Sequence, residues 1–517
     1  MSNTPSPAQL PGLLEPRSDE IRCDIAIIGS GMGGATLAYA LRDLGARITV
    51  IERGDFLPRE YENWSPKAVF TQGRYRNSES WYDGTSRPFR PGVHYYVGGN
   101  TKVYGATLPR FRETDFGAVD LHEGVSPAWP IDYHDIEPHY ARAERVYRVH
   151  GTPGQDPTEP WRSGDFPFPA VAHEPAVAEL ADSLRGQGLT PFDMPIGVDL
   201  RTGGGCVRCA TCDGFPCLLD AKSDADVCAM RPALAAGNVE LLTRTTVVRL
   251  RTDPGGTRVT EAVATRDGRE LRVVSERFVL AAGAVNTAAL LLRSGSGAVR
   301  GLADGSGRVG RNYMVHNSTF VVAVDPRRRN ETVFQKTLGW NDWYRDEGPH
   351  GPLGNVQTLG KLQAPMARVL GDRVPAPMLG ALAAHSVDLY LTSEDLPAPS
   401  NRITVDGADR VVVHWSPNNL APHRELVRRT TDAMRRSGYP MVFTRRMGVA
   451  VNSHQCGTAV MGEDPATSVV DPYGKAHDLD NLWVADSAVF PSSAAVNPGL
   501  TIAANAFRIA ADGELAG

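Results

Sequence analysis

The sequence predicts an α/β protein with two domains, one built on a parallel sheet and a second, α+β domain built on a largely antiparallel sheet. Three observations predict this fold. An apolar run ends at a glycine-rich turn, Gly29 to Gly34, and is followed by an alanine-rich, helix-prone run and a second apolar run. A similar strand–turn–helix pattern spans 277–292, and strand-like alternation occurs from Val239 to Leu250 and recurs between 311 and 450. Distant strand–turn–helix units can share one sheet and one ligand.

The glycine-rich turn has the G-x-G-x-x-G pattern of a Rossmann-like dinucleotide site. Gly29 permits the tight turn, Gly31 lets the backbone approach a pyrophosphate, and Gly34 lets helix and strand pack closely. The helix that follows offers free N–H groups and a positive dipole end to phosphates. Glu52 ends the second apolar run, where its carboxylate can accept hydrogen bonds from a ribose diol and repel a 2′-phosphate. The motif predicts a dinucleotide and leaves NAD and FAD both open.

Composition limits the other possibilities. The chain has 517 residues, of which 42% are hydrophobic and 22% charged, so it can form two or three domains with sizeable cores. The formal net charge of −5 argues against a nucleic-acid-binding surface. No apolar run approaches the roughly 18 residues that suggest a membrane span. Residues 1–19 predict a loose tail without the pattern of a signal peptide, and we therefore expect a cytoplasmic protein.

The segment from Cys206 to Cys217 contains four of the seven cysteines in a C-x2-C-x2-C-x4-C spacing. This spacing is close to that of an iron–sulfur site, and zinc is an alternative. The last gap differs by one residue from the iron–sulfur pattern, and neither a second cluster nor a histidine pair follows. We therefore predict no metal site and interpret these residues as structural thiols.

Four separated segments resemble the glucose–methanol–choline (GMC) family of flavoprotein oxidoreductases. They occur in family order and span nearly the whole chain. They are the glycine turn with Glu52-Arg53-Gly54; Gly98-Gly99-Asn100-Thr101 to Gly105-Ala106; Ala281-Ala282-Gly283-Ala284 through Gly295; and the C-terminal run containing Asp486-Ser487 and Asn497-Pro498-Gly499-Leu500-Thr501.

The resemblance implies FAD as the cofactor. Some family members attach FAD covalently through a histidine. The matching position in this chain is Val103, so we expect FAD to be bound non-covalently. The resemblance also implies two domains. The FAD-binding domain comprises residues 20–150, 205–310 and 451–517, and the substrate-binding domain comprises residues 151–204 and 311–450. The implied cofactor-binding residues are Gly29, Gly31, Gly34, Glu52, Arg53, Gly99, Asn100, Thr101, Val247, Ala282, Gly283, Asp486, Asn497, Pro498 and Thr501.

The resemblance also places His454 and Asn497 at the catalytic positions. Alcohol oxidation removes a hydroxyl proton and a hydride from the same carbon, the hydride going to flavin N5. A histidine suits the proton because its pKa is near neutrality. A neutral asparagine donor can orient the substrate and stabilise developing alkoxide without competing for that proton.

The substrate is expected to be a pyranose sugar or a glycoside. Asn497 and the segment Trp129 to Tyr133 are most similar to pyranose oxidases, and the chain looks closest to the bacterial pyranose and glycoside 3-oxidases. That likeness predicts oxidation of a secondary hydroxyl, at C2 or C3, to a ketone, with oxygen or a quinone as the electron acceptor. Gln357 is a candidate sugar contact, although an ordinary strand glutamine fits the sequence as well. The alternatives are oxidation of non-sugar alcohols such as sterols, a flavin/iron–sulfur electron-transfer protein and a non-catalytic nucleotide-binding module.

Overall fold

The computed structural model of the protein describes residues 10–295, 301–366, 375–512 and 514–516, so the first nine residues of the predicted tail lie outside it. The α-helices of this part are α1 (Met32–Leu41), α2 (Tyr133–Val146), α3 (Pro175–Gly186), α4 (Arg231–Leu234), α5 (Ala284–Arg293), α6 (Ala376–Ala384), α7 (Leu420–Arg436) and α8 (Gly499–Asp512).

The strands up to the middle of the chain are β1 (Glu20–Ile28), β2 (Ile48–Ile51), β3 (Trp81–Asp83), β4 (Pro88–Phe89), β5 (Val119–Leu121), β6 (Gly124–Ser126), β7 (Val149–Gly151), β8 (Phe168–Pro169), β9 (Pro191–Asp193), β10 (Ile196–Gly197), β11 (Val239–Leu242), β12 (Thr245–Thr252), β13 (Val259–Arg266) and β14 (Arg269–Leu280). The later strands are β15 (Asn317–Val324), β16 (Leu338–Trp340), β17 (Asn355–Thr358), β18 (Ser386–Ser393), β19 (Arg402–Val405), β20 (Val411–His414), β21 (Met441–Arg446) and β22 (Leu482–Val484).

The first large sheet has the strand order β11-β2-β1-β14-β13-β12, with β22 also paired to β14. Strands β11, β2, β1, β14 and β22 run parallel, as expected for a Rossmann-like sheet. The second half of β1 is buried on every residue because helices cover both faces of a parallel sheet. Strands β12 and β13 extend this sheet by antiparallel pairing.

The second large sheet confirms the predicted antiparallel character. Its strand order is β21-β15-β18-β17-β16-β9, and every pairing in it is antiparallel. One face packs on α3 and α7 through a cluster that includes Leu180, Leu389 and Leu426. Residues Tyr390 and Thr392 of β18 lie on the other face. This face meets the C-terminal segment, since Thr392 Oγ1 donates to the Ala495 carbonyl. A smaller sheet, β19-β20-β3-β4, joins residues 81–89 to residues 402–414.

The sequence between Val239 and Leu250 reads as one alternating strand, and that prediction is wrong. The chain forms β11 and β12 there, separated by a turn at Arg244, whose φ of 53° is left-handed. Strand β11 pairs parallel with β2 at one edge of the sheet, whereas β12 pairs antiparallel with β13 at the other edge, so the two segments belong to different parts of the sheet. Alternation alone does not reveal this break, because the threonines on both sides of Arg244 are common in strands and fit the strand pattern.

Among the described residues, no helix combines the length and apolar character needed to cross a membrane. The predicted domain boundaries stay a prediction.

Gly33 provides a test of the packing between α1 and the C-terminal segment. A Cβ at Gly33 would lie 1.8 Å from the Ala485 carbonyl oxygen, whereas a Cβ at Gly31 would meet no atom within 4 Å. Gly33→Ala should therefore lower the free energy of unfolding by about 2 kcal/mol or more, since overpacking against backbone outweighs the gain of about 1 kcal/mol in helix propensity. Urea denaturation of the ligand-free protein measures this. The matched variant Gly31→Ala should cost only about 0.5 to 1 kcal/mol, because alanine is a poorer N-cap than glycine but its Cβ would meet no atom there; equal effects of the two variants would contradict the packing.

Candidate active site

The glycine turn brings three distant segments into backbone contact. Gly29 has a φ of 106°, and a Cβ there would lie 2.3 Å from the Ala281 carbonyl oxygen. A Cβ at Gly34 would lie 2.0 Å from the Gly29 carbonyl oxygen. Gly31 is the N-cap of α1 and faces open space. The first and third glycines of the motif thus pack backbone, and the second leaves the helix N-terminus accessible to an anion.

Glu52 is buried beside this turn. Its carboxylate accepts hydrogen bonds from Ser30 Oγ at 2.6 Å, Ser30 N at 3.1 Å and Gly54 N at 2.8 Å. Burial raises the pKa of Glu52, although these bonds oppose the shift. A carboxylate has about four acceptor positions, so one remains for a ribose hydroxyl. Arg53 points its charge elsewhere, because its guanidinium lies 3.8 Å from the centre of the Tyr95 ring and 3.2 Å from a Glu79 oxygen.

The second glycine pair lies directly on the first turn. Gly98 N donates to the Ser30 carbonyl at 3.1 Å, and a Cβ at Gly99 would lie 3.2 Å from Gly31 Cα. Both Gly98 and Gly99 have left-handed φ angles, 94° and 55°. This conformation brings their backbone over the helix N-terminus.

The two polar residues that follow are partly committed to holding this loop. The Asn100 side-chain oxygen accepts from the His94 N–H at 2.8 Å. Thr101 Oγ1 donates to the Gly98 carbonyl and accepts from Ala225 N. Thr101 is therefore a structural support of the loop, whereas the amide nitrogen of Asn100 remains for other contacts.

Asp486 connects the C-terminal segment to the third glycine turn. Its Oδ2 accepts from Gly283 N at 2.9 Å and Thr287 Oγ1 at 2.6 Å, and its Oδ1 accepts from Ala488 N at 2.7 Å. Gly283, with a φ of 84°, is the N-cap of α5 and follows Ala282. Burial raises the pKa of Asp486, and the three hydrogen bonds counter this effect. Val247 lies on β12 and is partly buried against the main core.

Helix α8 begins beside α1. A Cβ at Gly499, its first residue, would lie 3.5 Å from Met32 Cε, and Met32 is the first residue of α1. Pro498 precedes α8, and its carbonyl accepts from Ile502 N. Thr501 is fully buried, and its hydroxyl shares a 2.7 Å hydrogen bond with Tyr140. The N-termini of two long helices therefore converge at the glycine turns.

His454 lies where the C-terminal segment meets the second sheet. Its Nδ1 is 3.1 Å from His316 Nδ1, and its ring is edge-on to Tyr390 with centroids 6.0 Å apart. Burial lowers the pKa of His454 to about 3, and repulsion from His316 adds to the shift. At neutral pH the imidazole is therefore uncharged and can accept a proton.

Gln357 lies on the same sheet face as Tyr390. The two residues are directly opposite each other in the β17–β18 pairing, and Phe320 is opposite Tyr390 on its other side. Gln357 is 3% exposed and its Oε1 has no hydrogen-bond partner. Asn497 is in the same condition, since its buried Oδ1 also has no partner. A buried amide oxygen without a partner in the protein is available to a ligand, although other buried asparagines, such as Asn317 and Asn355, also have one.

Two other features lie apart from these residues. A groove of about 1150 Å³ is lined by residues such as Trp129, Asn312 and Met461 and includes neither His454 nor Asn497.

In the cysteine segment, Lys222 is buried and donates to the carbonyls of Cys212 and Phe215 at 2.8 and 2.6 Å. The segment is thus organised around a lysine. All seven cysteines are free, and the described residues contain no cluster of histidine, cysteine or carboxylate arranged to hold a metal.

The comparisons with known proteins agree with this geometry. GMC oxidoreductase models match residues 193–318 and 397–506, and an NAD(P)-binding Rossmann-like model matches residues 27–59. A 6'''-hydroxyparomomycin C oxidase from Streptomyces lividus is 30% identical over 97% of this chain and 93% of its own. The chain belongs to the GMC oxidoreductase family.

A second sequence relative and a solved structure are also similar to this chain. A paromamine 6'-oxidase from Streptomyces fradiae is 28% identical over 96% of this chain and 92% of its own. The crystal structure of pyridoxine 4-oxidase from Mesorbium loti has a TM-score of 0.66 at 20% identity, covering 94% of this chain and 98% of that protein, and supports the fold.

GMC oxidoreductases are FAD-binding flavoproteins, and the residues of this GMC chain fit that cofactor. Gly99 packs its backbone on Gly31, and Gly31 leaves open space at the N-terminus of a helix, which suits a diphosphate. Glu52 has acceptor capacity left for a ribose. The unpartnered Oδ1 of Asn497 lies just before the N-terminus of α8.

Several residues of this GMC site were missed in the sequence. His316 bonds His454, but no local pattern in the sequence connects it to a residue more than one hundred positions later. Gly33 was also missed as a contact, because the G-x-G-x-x-G pattern does not include it. Tyr390 alternates with apolar residues in a buried strand and therefore reads as core.

Proposed function

We propose that this GMC oxidoreductase is an FAD-dependent oxidase or dehydrogenase that oxidises a hydroxyl group of a pyranose sugar or glycoside. The observation that carries the proposal is the position of His454. This uncharged imidazole lies beside a sheet face on which Gln357 and Tyr390 present polar groups. Sugars need such convergent hydrogen-bonding groups, whereas a sterol pocket would be almost wholly apolar.

The chain's own residues supply the proton chemistry of this reaction. We assign His454 as the base that takes the hydroxyl proton and Asn497 as the neutral donor that holds the alcohol oxygen. Gln357 is assigned to a neighbouring sugar hydroxyl, because its buried Oε1 has no partner within the protein. Bound FAD would supply the two-electron acceptor for the hydride. Oxygen, with formation of hydrogen peroxide, or a quinone is the expected final acceptor.

The glycine turns are assigned to cofactor binding. Gly29, Gly31, Gly34, Gly99 and Gly283 shape the backbone around the diphosphate. Glu52 is assigned to the ribose and Asp486 to the segment that holds the third turn in place. Arg53 is not assigned a direct contact, because its charge is paired with Glu79.

Oxidation at C2 or C3 is the first candidate reaction, and oxidation of a 6′-hydroxymethyl group is the second. The second is favoured by the paromamine 6'-oxidase, which is 28% identical over nearly the whole chain. The two reactions differ in their products, since a secondary hydroxyl gives a ketone and a primary hydroxyl gives an aldehyde.

A substrate panel tests the proposal. The holoenzyme should reduce its flavin with one or more members of a set of free pyranoses, O-glycosides, C-glycosides and amino sugars, and should be much slower with sterols and simple aliphatic alcohols. Stopped-flow spectroscopy at 450 nm (roughly the absorption maximum of oxidised flavin) follows the reduction, and NMR identifies a ketone or an aldehyde product. Oxygen and a quinone are compared as acceptors. Faster reduction by sterols than by every sugar would overturn the proposal.

The role of His454 can be tested by replacing it with asparagine. His454→Asn should retain FAD and slow flavin reduction by at least about 100-fold, the usual scale for losing a general base. His423→Asn is the matched control, because His423 is also buried and its pKa is also lowered to about 3, but it bonds only Thr319 and Ser393. Flavin reduction at the parental rate in His454→Asn would contradict the assignment of His454 as the base.

Val103 occupies the position at which some family members attach FAD through a histidine, and this supports non-covalent binding of FAD. Precipitation of the protein with trichloroacetic acid should release all of the flavin into the supernatant, where its absorbance is measured. Flavin that stays with the precipitated protein would contradict the prediction.

A further inference from the structure

A chain of three groups leads from the backbone to His454. His316 Nε2 lies 2.8 Å from the Ser493 carbonyl oxygen, and His316 Nδ1 lies 3.1 Å from His454 Nδ1. His316 is 1% exposed, so no water competes for either nitrogen. A carbonyl oxygen can only accept a hydrogen bond. His316 Nε2 must therefore carry a proton and donate it to Ser493.

The protonation of His316 determines that of His454. Burial lowers the pKa of His316, so the ring is neutral and holds one proton, which is on Nε2. His316 Nδ1 then has a lone pair and accepts. The hydrogen bond between the two rings consequently requires the proton on His454 Nδ1, and a neutral imidazole with Nδ1 protonated has a bare lone pair on Nε2.

The backbone holds His316 in an uncommon conformation that directs its ring. Its φ of 66° is left-handed, which is disfavoured for a residue with a Cβ. Asp395 compensates by accepting from both Val315 N and His316 N at 3.0 Å, and Asn452 Nδ2 donates to the His316 carbonyl at 3.0 Å. Strained residues held in this way occur at functional sites.

The same Asp395 also fixes the acceptor at the far end of the chain. Ser493 Oγ donates to Asp395 Oδ1 at 3.0 Å, and the Ser493 carbonyl accepts from His316 Nε2. Asp395 thus holds both the backbone of His316 and the residue that orients its ring. The arrangement closes a ring of hydrogen bonds between the second sheet and the C-terminal segment.

We propose that His316 is a positioning residue that fixes His454 as the Nδ1-protonated tautomer, so that Nε2 of His454 is always the nitrogen that takes the substrate proton. This inference rests on the proposed role of His454. As the hydroxyl proton arrives at Nε2, His454 becomes an imidazolium whose Nδ1–H still donates to His316. The hydrogen bond becomes charge-assisted and stronger at that moment. No protein group other than His454 gains or loses a proton in this step.

Two variants of His316 separate positioning from folding. His316→Ala removes the acceptor, and we expect flavin reduction at saturating sugar to slow by about 10- to 100-fold, part of the usual contribution of a general base. FAD content and KM should change by less than about threefold. His316→Asn should restore the rate to within about fivefold of the parent, because the amide oxygen can accept from His454 and asparagine tolerates a left-handed φ. His423→Ala, which removes another buried histidine bonded at both nitrogens, should not reproduce the loss.

A spectroscopic measurement tests the tautomer without turnover. The holoenzyme is labelled with ring-¹⁵N histidine, and His454 is assigned from the signal that His454→Asn removes. Solid-state NMR should show a protonated Nδ1 and an unprotonated Nε2 in the parent, and a mixture of both tautomers in His316→Ala. A protonated Nε2 in the parent, or a parental reduction rate in His316→Ala, would overturn the inference. Because the NMR result does not depend on activity, failure of the base assignment for His454 would be seen separately in the His454→Asn kinetics.

Discussion

The packing of backbone on backbone at the first glycine turn is the constraint on which the site depends. Gly29 lies against Ala281, Gly33 against Ala485, and Gly34 against the carbonyl of Gly29 itself. No side chain separates these segments, so a side chain at any of these glycines would force them apart. Strand β22 ends at Val484, so the residues that follow it lie beside the N-terminus of α1.

This constraint determines where the proposed catalytic residues are. The segment after Ala485 runs through Asp486, which bonds the third glycine turn, to Ser493 and on to Asn497 at the start of α8. Thr392 of the second sheet bonds the Ala495 carbonyl on the way. The C-terminal segment is thus held from both sides, and His454 is placed against it through His316 and Ser493.

The parts of the site that could be predicted are those with a local signal. The first glycine turn and Glu52 were assigned to the site from residue types at fixed spacing, and the C-terminal segment was assigned from its resemblance to the family; their roles stay predictions. The antiparallel second sheet was found from alternation. The break between β11 and β12 was missed, since Arg244 is not a residue that marks a turn. His316 and Asp395 were missed for a different reason: their function depends on contacts between segments far apart in sequence, and either residue alone looks ordinary.

Burial has two opposed effects on His454. It keeps the ring uncharged, which is the state that accepts a proton, and it disfavours the imidazolium that forms when the proton arrives. The bond to His316 reduces the second effect, because a hydrogen bond to a charged donor exceeds a neutral one by about 1 kcal/mol. That gain is smaller than the burial effect, so His454 alone would leave the alcohol proton transfer uphill. The alkoxide must therefore be stabilised as well, and in the proposed mechanism the amide N–H of Asn497 does so, while Gln357 binds a neighbouring sugar hydroxyl. On this proposal the Asn497 amide is as necessary to the reaction as the pair of histidines, because an amide donates a hydrogen bond without taking up a proton.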